Sequence, residues 1–195
     1  MQTPFVEQAD WARSVLNLSV GAFVVGELSR VLRVRRDATR TDLGAELVFR
    51  AMFVGAVLMF PVGRLVAPDA VIGGGAWAFS LGALVAWLGL LLRWWSFATL
   101  GRYFTVVLAT SADQPVVERG PYRVLRHPSY TGLLLVCAGC GLMVGNWVSA
   151  AGSLALPLTA LVPRIRIEER ALTAAMGDRY RSFAAGRARL VPFVW

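Results

Sequence analysis

The only histidine of the chain, His127, stands in Arg126-His127-Pro128-Ser129-Tyr130, directly before an apolar run, and a second polar cluster, Arg164-Ile165-Arg166-Ile167-Glu168-Glu169, follows that run. A guanidinium fits a carboxylate bidentately and can orient it, a carboxylate can accept from an ammonium or a hydroxyl, and aromatic rings can enclose a planar or cationic group. Spacing stacks Arg164, Glu168 and Leu172 on one helix face at i, i+4 and i+8. Each feature also has a plainer explanation. Pro128 suits the first position of a helix with His127 at its N-cap, and Arg164 with Glu168 suits a solvated helix whose ion pair contributes about 0.2 to 0.5 kcal/mol. One histidine and two cysteines give no plausible zinc or iron set. Cys137 and Cys140 lie in an apolar helix, where they serve as buried small residues rather than a redox pair. Any chemistry here is therefore expected to be metal-free.

The elements that must position these residues are membrane helices. Apolar residues make up 56% of 195 positions and charged residues only 16%, too few for an ordinary water-soluble domain. Hydrophobic runs at residues 14–32, 47–66 and 76–92 approach the roughly 20 residues that cross a hydrocarbon core. A further run, 131–162, is interrupted by Gly145, Asn146, Gly152 and Pro157, which predicts two helices of about 15 residues joined by a tight turn. Each arm would rise only ~22 Å, so the hairpin is expected to enter deeply without a full-length span.

Charge orients the bundle. The net charge is +8 and all 20 basic residues are arginines. They border the first connection (Arg30 to Arg50), fill the third (Arg93 to Arg126) and follow the hairpin (Arg164 to Arg189), whereas residues 67–75 carry none. This is the positive-inside pattern. It predicts five membrane segments, an outside N-terminus and a cytosolic C-terminus, and it explains the arginines through membrane lipids, without a nucleic-acid partner. Residues 1–13 hold two acids and no basic cluster before the first span, so no cleaved signal peptide is expected.

Two units emerge: a scaffold of three helices over 1–92, and a loop, hairpin and tail over 93–195 that carry the candidate chemistry. Trp94, Trp95, Tyr103 and Phe104 are expected at headgroup level as aromatic anchors or as a wall for a lipid substrate. Gly177 should end the tail's helix, with Tyr180 and Phe183 opening another turn. Glu27, ionisable and inside the first span, has no partner assignable from sequence.

From about Gly101 to Pro192 the sequence resembles the isoprenylcysteine carboxyl methyltransferases and their small prokaryotic relatives. The parts that match, in order, are Val116-Val117-x-x-Gly120-x-Tyr122, Arg126-His127-Pro128-x-Tyr130-x-Gly132, Gly145-Asn146-Trp147, and Arg164-x-x-x-Glu168-Glu169 with Gly177-x-x-Tyr180. Phe183 departs from a second tyrosine of that pattern, and the N-terminal spans align with nothing in it. The resemblance implies an all-α integral membrane protein, in a bacterial cytoplasmic membrane, whose cytosolic pocket lies between the hairpin, the preceding loop and the tail. It implies S-adenosylmethionine as cofactor, held by the Val116 and Val117 backbone with Tyr122, His127, Tyr130 and Glu168, while Arg164 faces the acceptor. That acceptor is expected to be lipophilic and drawn from the bilayer: a prenylcysteine carboxylate, or alternatively a phenol or alkylpyrone. Two other classes stay open at this point, a nicotinamide-dependent sterol-type reductase and a non-enzymatic membrane scaffold.

Overall fold

In a computed structural model, residues 3–31, 43–101 and 116–191 are described, and they are helical with no strand among them. A one-turn helix α1 (Phe5–Gln8) precedes α2 (Asp10–Val31), α3 (Leu43–Val66), α4 (Gly75–Leu100), α5 (Pro128–Val144), α6 (Trp147–Met176) and α7 (Asp178–Ala185), with a 3-10 turn at Gly120–Arg123. Residues 14–31 of the first expected span lie on α2, and the expected span at 47–66 lies on α3. Tyr103 and Phe104, and the arginines between 33 and 40, fall outside the described residues.

Helix α4 displays the logic of the bundle. Trp77, Leu81, Leu84, Leu88, Leu91 and Trp95 are exposed along one face, while Gly82, Ala86, Gly89 and Arg93 are buried on the other. Large apolar residues outward and small residues inward suit a helix whose surroundings are as apolar as its neighbours, because association then depends on close backbone packing. A Cβ on Gly89 would lie 2.7 Å from the Gly132 carbonyl oxygen, and one on Gly82 would lie 2.7 Å from that of Gly139. The two helices therefore meet backbone to backbone, and α5 is fixed along its length against α4.

The hairpin turn is where sequence placed it. Gly145 adopts φ 71°, and the Asn146 side-chain oxygen Oδ1 caps α6 by accepting from Ser149 N at 2.9 Å. The Asn146 side-chain amide donates to Ala67 O at 2.7 Å, Trp147 N to Ala70 O at 2.8 Å, and Ile72 N to Gly145 O at 2.9 Å. These bonds dock the hairpin tip on the arginine-free connection after α3. Pro4 packs on Gly145, and the Arg64–Glu7 ion pair closes the same end.

Two expectations are corrected. The third span does not end at Leu92, since α4 continues to Leu100 and carries Arg93, Trp94 and Trp95 within the helix. The second hairpin arm is not about 15 residues long: α6 is one helix of 30 residues, with Pro157 and Pro163 inside it. A proline removes one N–H donor, but in apolar surroundings the remaining backbone groups have no partners outside the helix, so breaking it costs more than continuing it. The tail cluster around Arg164 is thus rigidly continuous with the hairpin.

Candidate active site

The polar residues singled out in the sequence converge at the end of the bundle opposite the hairpin tip. Pro128 starts α5 and His127 occupies its N-cap, as expected, but the histidine side chain makes no capping bond. Backbone pairing places it instead: Arg126 N donates to Ala188 O at 2.8 Å and His127 N to Arg189 O at 3.1 Å, so the tail runs beside residues 125–127. Thr131 Oγ1 donates to Leu190 O at 2.7 Å, extending that seam onto α5.

Arg164 is buried, which excludes the solvated-helix alternative for it. Its Nε donates to Tyr130 Oη at 2.9 Å, and Tyr130 Oη donates to Glu168 Oε2 at 2.9 Å. A tyrosine of α5 therefore bridges the guanidinium and the carboxylate that lie one turn apart on α6. The His127 ring stacks on Tyr130, with centroids 5.6 Å apart and planes 16° apart. Its Nδ1 lies 3.8 Å from Glu168 Oε2 and its Nε2 3.5 Å from Glu169 Oε1, without hydrogen-bond geometry at the buried Nε2.

Glu169 organises the surrounding shell. It accepts from Arg126 Nη1 and Arg189 Nε, both at 3.0 Å, and Arg126 Nε also donates to Arg187 O at 2.7 Å. Opposite lies an apolar group of Tyr122, Met176, Tyr180 and Phe183, with Val116 and Val117 packed against it. Glu118 accepts from Arg187 Nη2 at 2.9 Å and so ties the Val116–Val117 segment to the end of α7. Burial first, and then the charge of Glu168, push the Tyr122 phenol above its ordinary pKa, so it stays protonated and can donate.

Residues 82–174 match the model of the isoprenylcysteine carboxyl methyltransferase family. The match takes in just under half of the chain. Protein-S-isoprenylcysteine O-methyltransferase A of Arabidopsis thaliana is 32% identical over 120 residues, covering 60% of this chain and 61% of that protein. The Schizosaccharomyces pombe protein-S-isoprenylcysteine O-methyltransferase is 31% identical over 98 residues, covering 49% and 42% respectively. This chain thus spans about 61% of the length of the Arabidopsis relative. A solved structure of the eukaryotic intramembrane Ras methyltransferase, isoprenylcysteine carboxyl methyltransferase, has the same fold, with TM-score 0.68 at 22% identity over 100% of this chain and 69% of that one. The fold shared with that intramembrane enzyme and the long apolar helices Gly75–Leu100 and Trp147–Met176 are those of an integral membrane protein.

All seven expected site residues lie in this region, divided between two neighbouring groups. Arg164, Tyr130, Glu168 and His127 form one polar cluster, and Val116, Val117 and Tyr122 belong to the apolar wall. Sequence reasoning missed the partner of Glu27. Arg93 donates to it through Nε at 2.5 Å and Nη2 at 2.8 Å, and its Nη1 donates to Ser129 O at 2.6 Å. The available signal was register: Arg93 continues the inward-facing series Gly82, Ala86, Gly89, so it had to turn toward the bundle rather than to a cytosolic loop.

Proposed function

We propose that this protein transfers a methyl group from S-adenosylmethionine to a lipophilic carboxylate reached from the bilayer, such as a prenylated cysteine. The observation that carries the reading is the bridge from Arg164 through Tyr130 to Glu168, in a chain similar to proteins named protein-S-isoprenylcysteine O-methyltransferases. The residues present fit such a donor. His127 Nε2 and Tyr180 Oη are buried without hydrogen-bond partners among the described residues, so polar groups there await a ligand. Val116, Val117 and Tyr122 offer an apolar wall to a purine or a sulfonium.

When bound, S-adenosylmethionine supplies an electrophilic methyl group that a carboxylate can take in an in-line displacement without a metal. Arg164 would hold the acceptor carboxylate, since a buried guanidinium fork orients it and favours its charged form. Tyr130 fixes the Arg164 guanidinium by accepting from Nε. Glu168, held by Tyr130, serves the cofactor side by accepting from an ammonium or hydroxyl. Burial of the cluster excludes water from the nucleophile. Five membrane crossings by α2 to α6, with this site at the cytosolic face, complete the proposal.

Calorimetric titration of the purified protein with S-adenosylmethionine and with NADPH, followed by methyl transfer to a farnesylated cysteine analogue, tests it. Binding of S-adenosylmethionine alone and ester formation are expected. NADPH binding without S-adenosylmethionine binding would replace the proposal with a reductase, and transfer only to phenolic lipids would change the acceptor.

A further inference from the structure

The ring of Tyr180 has an evident structural role and its hydroxyl has none. On α7 the ring packs with Tyr122, Met176 and Phe183, lying 5.8 Å from the Phe183 ring. The residue is only 5% exposed, and its Oη has no hydrogen-bond partner among the described residues. A phenylalanine would keep the packing and avoid burying an unpaired hydroxyl, which is a net cost to the folded state. Phe183, three residues on, is accommodated in the same cluster, so the environment accepts a bare phenyl. The hydroxyl at 180 therefore calls for a partner beyond the described residues.

Its surroundings indicate which kind. Burial, and then the charges of Glu169 and Glu168, hold the Tyr180 phenol protonated, as a donor rather than an anion. Those carboxylates belong to the polar cluster, while Val116 and Val117 of the apolar wall pack against the same group as Tyr180. The hydroxyl thus stands at the boundary between the two halves of the proposed cofactor site.

We propose that Tyr180 is a further cofactor-contacting residue, its phenol donating a hydrogen bond to an oxygen of S-adenosylmethionine bound against Val116, Val117 and Tyr122. This assignment rests on the methyl-donor reading above. It makes an unusual pair of demands on one atom. Removing the hydroxyl relieves an unpaired group in the unliganded protein and deprives the liganded one of a bond, so stability and affinity move in opposite directions.

The experiment is Tyr180→Phe in the full chain in detergent, with thermal melting in the absence of ligand and calorimetric titration with S-adenosylmethionine and S-adenosylhomocysteine. The expected result is a melting temperature at or above wild type, with both dissociation constants raised about tenfold. Unchanged dissociation constants would overturn the assignment and leave the hydroxyl idle. A lowered melting temperature would also overturn it, because the hydroxyl would then already be satisfied within the chain. Failure of the wild-type protein to bind either ligand would refute the methyl-donor reading itself and this role with it. Binding by wild type that Tyr180→Phe leaves intact refutes only the role of Tyr180.

Discussion

At the scale of single residues, the site depends on one phenolic oxygen that serves two masters. Because Tyr130 Oη accepts from Arg164 and donates to Glu168, the proposed acceptor side and the proposed cofactor side are mechanically linked through a group of α5. Arg164→Ala should lower methyl transfer to a carboxylate acceptor by about 10- to 150-fold, the loss of one charge-assisted hydrogen bond of roughly 1.5 to 3 kcal/mol, with cofactor affinity nearly unchanged. Arg164→Lys should also be impaired, because the ammonium lacks the planar fork and cannot reproduce the Nε contact. Glu168→Gln should chiefly raise the cofactor dissociation constant. Tyr130→Phe discriminates between linked and independent roles: it should lower turnover and cofactor affinity together, though it removes neither charge. A Tyr130→Phe enzyme with both parameters at wild-type values would show the bridge to be incidental.

At the scale of elements, what positions Tyr130 is the depth to which α5 sinks against α4. Gly132 lies two residues beyond Tyr130, and a Cβ there would stand 2.7 Å from Gly89 O and 2.9 Å from the Arg93 backbone N. Neither backbone can yield locally, so Gly132→Ala should separate the helices and destabilise the protein by about 1 to 3 kcal/mol, the usual cost of overpacking. Its effect on turnover should exceed that of Gly152→Ala, where the nearest atom is the mobile end of Met59. Melting temperature and initial rate for the two variants check the ordering. Much of this architecture is legible in sequence because helix starts and stops are local: Pro128, Gly145, Asn146 and Gly177 act where they stand. The continuation of α6 through Pro157 and Pro163 was not legible, since it depends on surroundings in which the backbone has no alternative partners. Nor was the seam between residues 187–190 and 125–131. It joins segments some 60 positions apart by bonds that all end on backbone carbonyls of the tail, which leave no side-chain pattern there to read. For the candidate site, the ordered motifs named residues that the fold brings to one end of the bundle, while the contacts among them required the fold.

At the scale of the whole molecule, a buried ion pair ties the N-terminal helices to the C-terminal half at the end of the bundle that holds the candidate site. A division after Leu92 falls inside α4, and the next residue, Arg93, joins Glu27 of α2 to the first turn of α5. Both side chains are largely withdrawn from the surface, at 6% and 26% exposure. Breaking such a pair by removing one partner typically costs about 3 to 5 kcal/mol, because a charge is left behind, whereas removing both is far milder. Arg93→Met and Glu27→Met should each lower the melting temperature sharply, and the double variant should recover much of the loss. Additive losses would mean that the two residues act separately.

Orientation is the last property of the whole, and structure and charge bear on it together. The hairpin tip, the 67–75 connection and residues 3–10 meet at one end, where Arg64 is paired with Glu7 and no other described side chain supplies a cluster of positive charge. At the other end stand Arg119, Arg123, Arg126, Arg187 and Arg189, beside the candidate site. Two ends so unequal in arginine should sort by the positive-inside rule, with the arginine-rich end in the cytosol, the side from which the proposed methyl donor would arrive. A reporter fused after Trp195 should therefore be active only as a cytosolic marker, and a cysteine placed at Ala70 should react with an impermeant maleimide added outside intact cells. Since α3 and α4 run in opposite directions between these ends, both probes report one orientation. Finding the two positions on the same side of the membrane would break the five-crossing arrangement, and finding both inverted would put the site on the face where no methyl donor is supplied.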